Sequence, residues 1–175
     1  MQPAKIDLLI YCRWIIPIIP EDKVWENCAL AVEGEKIIGI FPQAEAAKRF
    51  APLNTEHLDN HILMPGLVNA HGHAAMSLLR GYADDLPLIP WLHDHIWPAE
   101  SRFVDDSFVR DGTNLSMAEM IKSGTTCFAD MYFFHETIVE EVRAAGMRCQ
   151  VGFTVLDFPT AYAKNADDYI HKGLA

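Results

Sequence analysis

The chain has little of what marks a secreted, membrane-bound or nucleic-acid-binding protein. Its four cysteines in 175 residues (Cys12, Cys28, Cys127, Cys149) form no C-x-x-C pair and fall short of disulfide-rich density. They read as buried thiols of a reducing compartment. Basic residues are in deficit: 14 Lys and Arg stand against 24 Asp and Glu, a formal net charge of −10. That balance argues against a phosphate backbone and offers no basic patch to an anionic membrane. Long apolar runs are missing too. The stretch Leu8 to Ile19 is interrupted by Arg13 and Pro17 and is too short to span a bilayer, so it reads as β-strand. No secretory signal, low-complexity linker or solenoid repeat is apparent. The absences point to a cytoplasmic globular protein without nucleic-acid or membrane partners.

What is present divides into two patterns. Residues 1–60 read as a β module. Ile6 to Cys12 and Arg13 to Ile16 are β-rich, Cys28 to Val32 and Lys36 to Phe41 form a second pair, and Glu33-Gly34-Glu35 supplies the turn between them. A short helix is expected over Ala44 to Phe50, ending before Pro52. From residue 61 to 175 strands and helices alternate. Strands are expected at Ile62 to Asn69, Thr125 to Tyr132 and Arg148 to Leu156. Between them the spacing predicts a helical turn over Ala74 to Arg80, a loop over Gly81 to Pro90, and helices over Asp105 to Ser123 and His135 to Ala145. Gly124 and Gly146 stop the two longer helices, and Leu115, Met117, Met120 and Ile121 are offered as the apolar face of the first. Such alternation builds a parallel sheet covered by helices.

Within the second pattern, Met64-Pro65-Gly66-Leu67-Val68-Asn69-Ala70-His71-Gly72-His73 ends an apolar run with two histidines one residue apart. In extended backbone, side chains at i and i+2 share a face, so both imidazoles can reach one point. Imidazole suits zinc, iron, nickel and copper, and Gly72 removes a side chain that could crowd an ion between them. The pair sits at the carboxyl end of a strand, where α/β folds carry their sites. By chance alone a His-x-His can also arise among eight histidines.

The segment Ile62 to His73 resembles the first barrel strand of the amidohydrolase superfamily. Its continuation, Ala74 to Leu88 with Trp91-Leu92 and His95-Ile96-Trp97-Pro98-Ala99-Glu100, resembles the 5′-methylthioadenosine/S-adenosylhomocysteine deaminases. The resemblance implies an α/β fold: the N-terminal part of a metallo-dependent (β/α)8 hydrolase barrel, preceded by a small β module. A whole barrel takes ~250 residues, so 175 residues hold an incomplete one. Residues 1–60 would then be part of a β-sandwich-like module, and residues 61–175 the first three strand units of the barrel. The same resemblance implies deamination of an adenine nucleoside, a metal-activated water adding at C6 with loss of ammonia. One divalent ion, zinc, would be the cofactor, with His71 and His73 as two of its ligands. A histidine after the fifth strand and an aspartate after the eighth, with the acid and base groups, would lie beyond Ala175. Protein partners would be a homo-oligomer or the remaining C-terminal part. Alternatives are another amidohydrolase, such as a guanine deaminase or triazine hydrolase, or a non-catalytic truncated chain or half of a two-chain barrel.

The resemblance assigns Glu100 to the ribose hydroxyls, and a carboxylate is chemically suited to accept two hydrogen bonds from a vicinal diol. Without the resemblance, Glu100 reads rather as an exposed residue favoured near a helix start. Trp91 and Trp97 are offered as cleft walls or as packing. Asp84 and Asp85 are offered as catalytic by composition, or as bonded to their own loop or to Arg80. Asp130, ending the second strand, either faces the site or makes a structural hydrogen bond. The second His-x-His, His93-Asp94-His95, is set aside, since in a helical segment i and i+2 diverge by about 200°. His57, His61, His135 and His171 have no spacing partner and read as surface or capping residues.

Overall fold

A computed structural model describes residues 2–175 as two compact units, the first ending at Pro65 and the second running Gly66–Ala175. In the first, β1 (Ala4–Ile15), β2 (Trp25–Glu33), β3 (Lys36–Pro42) and β4 (Phe50–Leu63) form one sheet in the order β3-β2-β1-β4, with helix α1 (Gln43–Arg49) between β3 and β4. The first two expected strands are one: Arg13 continues β1, whose antiparallel partner is β2, with Cys12 opposite Cys28. The larger correction is β4. Phe50–Leu63 carries Pro52, Asn54, Glu56 and Asp59 and shows no clean alternation, yet it pairs in parallel along β1 from Phe50 to Leu63. As an edge strand it tolerates Pro52, and one neighbour's ladder overrides weak local propensity. Ile6, Leu9, Ala29, Ala31, Ala46 and Phe50 make this unit's core.

In the second unit, β5 (Leu67–Asn69), β6 (Thr125–Tyr132) and β7 (Arg148–Phe153) form a parallel sheet in the order β5-β6-β7. The run expected as a single strand from Ile62 to Asn69 is broken at Met64-Pro65-Gly66: residues up to Leu63 belong to the first sheet, and only Leu67–Asn69 joins the second. The third strand stops at Phe153, three residues before Leu156. After β5 come a 3₁₀ turn over Ala74–Leu79 and a helical stretch made of α2 (Leu88–Pro90), a π-wound turn (Trp91–Ile96) and α3 (Trp97–Phe103). Helix therefore begins before the expected loop has ended, at Leu88. Three further helices follow: α4 (Asp106–Ser123), α5 (His135–Ala145) and α6 (Ala166–Gly173).

Local chemistry sets these ends. Asp105 caps α4 by accepting the Phe108 N–H at 2.8 Å, and Gly124 closes it at φ +85°, a left-handed turn that costs glycine little. Of the face expected for α4, Met117 is buried and Met120 packs against the core, so half of it holds. Val109, Gly112, Thr113 and Met117 point inward at three- and four-residue spacing, while Leu115 and Ile121 are exposed. Met117 packs with Phe128, Ile138 and Val142, so α4 and α5 together cover one face of the sheet. Full burial of a side chain such as Phe128 or Ile138 contributes about 1.5–3 kcal/mol. Of the four free cysteines only Cys12 is fully buried, so the expectation of four buried thiols holds for one. No helix among the described residues is long and apolar enough to cross a membrane.

Candidate active site at the strand ends

The chain leaves β5 at Asn69 and places two imidazoles within the next four residues. The rings of His71 and His73 lie 5.2 Å apart, centroid to centroid, with planes at 79°. Nδ1 of His73 is 2.6 Å from the Met131 carbonyl oxygen at the end of β6. A carbonyl can only accept, so Nδ1 donates and Nε2 keeps its lone pair. The Met131 N–H in turn donates to the Gly72 carbonyl at 3.3 Å, and the His71 N–H donates to Asn69 Oδ1 at 3.3 Å. A Cβ at position 72 would sit 3.2 Å from Asn69 Nδ2 and 3.5 Å from the Ala129 carbonyl. The tightness that Gly72 relieves is thus with the protein, not with the space between the imidazoles.

Asp130 underlies this arrangement. It is only 3% exposed; its Oδ1 accepts the N–H of Ala74 at 3.1 Å and the N–H of Met131 at 2.9 Å, while Oδ2 is buried with no partner. The residue after His73 and the residue whose carbonyl fixes His73 are therefore gripped by one carboxylate. Burial pushes its pKa up, partly offset by those two backbone donors and by nearby His73. Of the two readings of Asp130, the structural hydrogen bond is the one the geometry shows.

Glu100, in α3, is half-buried, and its Oε1 accepts the Tyr132 hydroxyl at 2.6 Å. Burial raises its pKa, opposed by the Tyr132 hydrogen bond and the proximity of His73. Burial likewise pushes the Tyr132 phenol up, reinforced by the Glu100 charge, so the phenol stays the donor. Tyr132 also lies against His73, ring centroids 6.3 Å apart. His73, Trp91, Trp97, Glu100 and Tyr132 line one cavity of about 180 Å³. Both tryptophans are thus at its wall, Trp91 held by donating Nε1–H to the Ala83 carbonyl at 3.0 Å. Residue patterns alone did not single out Tyr132 or the Met131 carbonyl. The available signal was position: Tyr132 is two residues beyond Asp130 on the same strand face.

The other candidates separate from this cluster. Asp84 and Asp85 share a more open cavity with His73, but Arg80 does not bind them; it forms a bidentate pair with Glu119 at 2.9 and 2.6 Å. His93 packs edge-on against Trp97, centroids 4.5 Å apart. His57 stacks on Tyr11, and His135 meets the Tyr162 hydroxyl at 3.1 Å. His61 and His171 are exposed. Among the described residues no three His, Cys, Asp or Glu side chains are grouped to hold a metal ion. His71 and His73 stand as a pair.

The model of the amidohydrolase family matches residues 62–174. The chain belongs to the amidohydrolase family. A 5-methylthioadenosine/S-adenosylhomocysteine deaminase of Saccharophagus degradans is 54% identical over 170 residues, covering 96% of this chain and 38% of the relative. One of Teredinibacter turnerae is 48% identical over 171 residues, covering 98% and 39%. Among solved structures, an adenosine deaminase of Xanthomonas campestris with bound zinc superposes with a TM-score of 0.93 at 46% identity, over 97% of this chain and 39% of that one. The chain thus spans somewhat under two fifths of these amidohydrolases. Its second unit is the N-terminal part of a (β/α)8 barrel, the fold class expected from the His71 to Glu100 block.

Proposed function

We propose that this amidohydrolase segment carries the nucleoside-binding side and two of the metal ligands of a cytoplasmic, zinc-dependent deaminase acting on adenine nucleosides of the methylthioadenosine and S-adenosylhomocysteine type. The observation that carries the reading is the shared cavity. His73, with Nδ1 committed to the Met131 carbonyl, presents a free Nε2 lone pair, and Glu100 is on the wall of the same cavity. The donor set fits zinc chemically: two neutral imidazoles, one of them with its tautomer fixed by a backbone acceptor. His71 and His73 would hold the ion in company with ligands from elsewhere in the full-length chain. When bound, zinc supplies Lewis acidity that makes water nucleophilic near neutral pH.

Glu100, oriented by the Tyr132 hydroxyl, keeps Oε2 free to accept from the ribose diol. With the diol anchored there, the base can reach toward His73 while Trp91 and Trp97 exclude water from its faces. No residue of the segment is assigned as general acid or base.

The test is made in the segment completed to full length, with the remaining chain supplied by the 54% identical relative. His73→Ala should strip most bound zinc, because a site with few protein ligands does not survive the loss of one imidazole. Glu100→Gln should keep the metal and lower kcat/KM for methylthioadenosine about ten- to a hundredfold, the worth of a hydrogen bond to a charged group. Unchanged zinc in the first variant, or wild-type kinetics in the second, would remove that residue from the site.

A further inference from the structure

The corner where β6 turns into α5 is made by a residue ill suited to it. Phe134, whose carbonyl accepts the N–H groups of Thr137 at 3.0 Å and Ile138 at 3.3 Å, is in the left-handed region at φ 52°, ψ 48°. That conformation suits glycine or asparagine and costs a residue with a Cβ about five- to thirtyfold in population. Nor does Phe134 supply the side-chain cap that Ser, Thr, Asp or Asn gives a helix start. A bulky residue persists in such a turn only where its surroundings over-determine it. Here Tyr162 is the main neighbour. Its buried ring meets that of Phe134 edge-on, centroids 5.1 Å apart, and its hydroxyl donates to Glu136 Oε2 at 3.2 Å and lies 3.1 Å from His135 Nδ1. One side chain thus grips Phe134 and the first two residues of α5 together. Tyr162 is itself held through its backbone: its N–H donates to Thr160 Oγ1 at 3.2 Å, and Lys172 donates to its carbonyl.

The corner matters because of what immediately precedes it. The Met131 carbonyl fixes His73, and the Tyr132 hydroxyl fixes Glu100. Resting on the roles of His73 and Glu100 given above, we infer that Tyr162 is a positioning residue. By clamping Phe134 in the left-handed turn, it sets where the end of β6 delivers the Met131 carbonyl and the Tyr132 hydroxyl. A corner relaxed to negative φ would swing the peptide groups ahead of it and lengthen both contacts. Tyr162 is not among the residues lining the cavity of His73, so it acts on the site through Phe134 alone.

The experiment uses the completed full-length enzyme and compares Phe134→Ala with Phe134→Gly. Both lose the ring, but only alanine is strained at positive φ. Phe134→Ala should weaken zinc binding, measured by competition with a chelator, about tenfold, and lower kcat/KM for methylthioadenosine by a similar factor. Phe134→Gly should keep both within about threefold of the parent. Tyr162→Leu should weaken zinc about tenfold in the parent but less than about twofold beside Phe134→Gly, since glycine holds the turn unaided. Should Tyr162→Leu fail to fold, Tyr162→Phe, which loses only the hydroxyl, takes its place in the same cycle with an expected loss of about threefold. Equal zinc losses in the alanine and glycine variants overturn the inference, because the ring and not the turn would then matter. So does a Tyr162 loss undiminished by glycine, the result expected if Tyr162 only packs. The zinc comparison needs no turnover: a parent that binds zinc yet deaminates no adenine nucleoside would overturn the substrate reading and leave the corner to be judged by metal affinity.

Discussion

At the scale of single residues, the site is a short relay of backbone and side-chain hydrogen bonds. Asp130 holds the N–H groups of Ala74 and Met131, Met131 fixes His73 through its carbonyl, and Tyr132, next in the chain, fixes Glu100. Three consecutive residues of β6 thus orient both halves of the cavity. The candidates His71, His73 and Glu100 could be picked out from the sequence because histidine spacing and a longer matching block mark them. Tyr132 was not, because a tyrosine at a strand end reads as packing until its hydroxyl has a visible partner. Tyr132→Phe should lower kcat/KM for the nucleoside about tenfold while zinc content stays constant, the loss of one charge-assisted hydrogen bond. It should also leave a pH signature. The Tyr132 hydroxyl is one of the influences holding the Glu100 pKa down against burial. Without it that pKa rises, so the ionised form is lost earlier as pH falls, and the acid limb of the kcat/KM profile moves to higher pH. A rate loss with an unmoved limb would mean that the tyrosine serves packing alone.

At the scale of elements, the helices were easier to read than the strands. Asp105 and Gly124 bracket α4 by side-chain chemistry that any context would use, and both ends lie where the sequence puts them. The strand β4 escaped because its signal is not local: a polar segment with an early proline becomes a strand only because β1 presents a free edge to it. The Pro65-Gly66 break escaped for the opposite reason, since an apolar run either side of a turn dipeptide looks continuous. The inward face of α4 was read correctly at Met117 and Met120 but not at Leu115 and Ile121, because apolar character was weighed above fit. What matters there is Gly112, whose added Cβ would collide with the backbone of Ala75. That backbone is the turn leading directly out of His73. Gly112→Ala therefore sets a helix-propensity gain of about 1 kcal/mol against overpacking of about 1–3 kcal/mol or more at a contact with no side chain to yield. The variant should melt at lower temperature and, by shifting Ala74 and Ala75, should bind zinc more weakly. Calorimetry and metal analysis of the full-length protein check both; a more stable variant with full metal content would show that the turn moves freely.

At the scale of the molecule, one face of the parallel sheet is finished and the other is not. Phe128 and Tyr132 point into a core made with α4 and α5. Strand register places Val68, Cys127, Ala129 and Met131 on the opposite side, and there Val68 is 67% and Met131 45% exposed. In a (β/α)8 barrel that side is the interior, filled by layers of side chains from alternate strands. Here both outer strands of the sheet, β5 and β7, have a neighbour on one side only among the described residues. Unpaired strand edges template association, and exposed apolar surface supplies a driving force for it. The 175-residue chain expressed alone should therefore self-associate in a concentration-dependent way, and light scattering after gel filtration should show a broad, heavy species. It should release no ammonia from methylthioadenosine with added zinc, since two imidazoles fall short of the three protein ligands such sites use. Completion with the C-terminal part of the relative should convert it to a single defined species that melts cooperatively. A monodisperse monomer from the short chain would mean that the open face is covered from within the chain. An active one would mean that the pair His71 and His73 needs no further ligand, and the barrel reading of the site would fall with it.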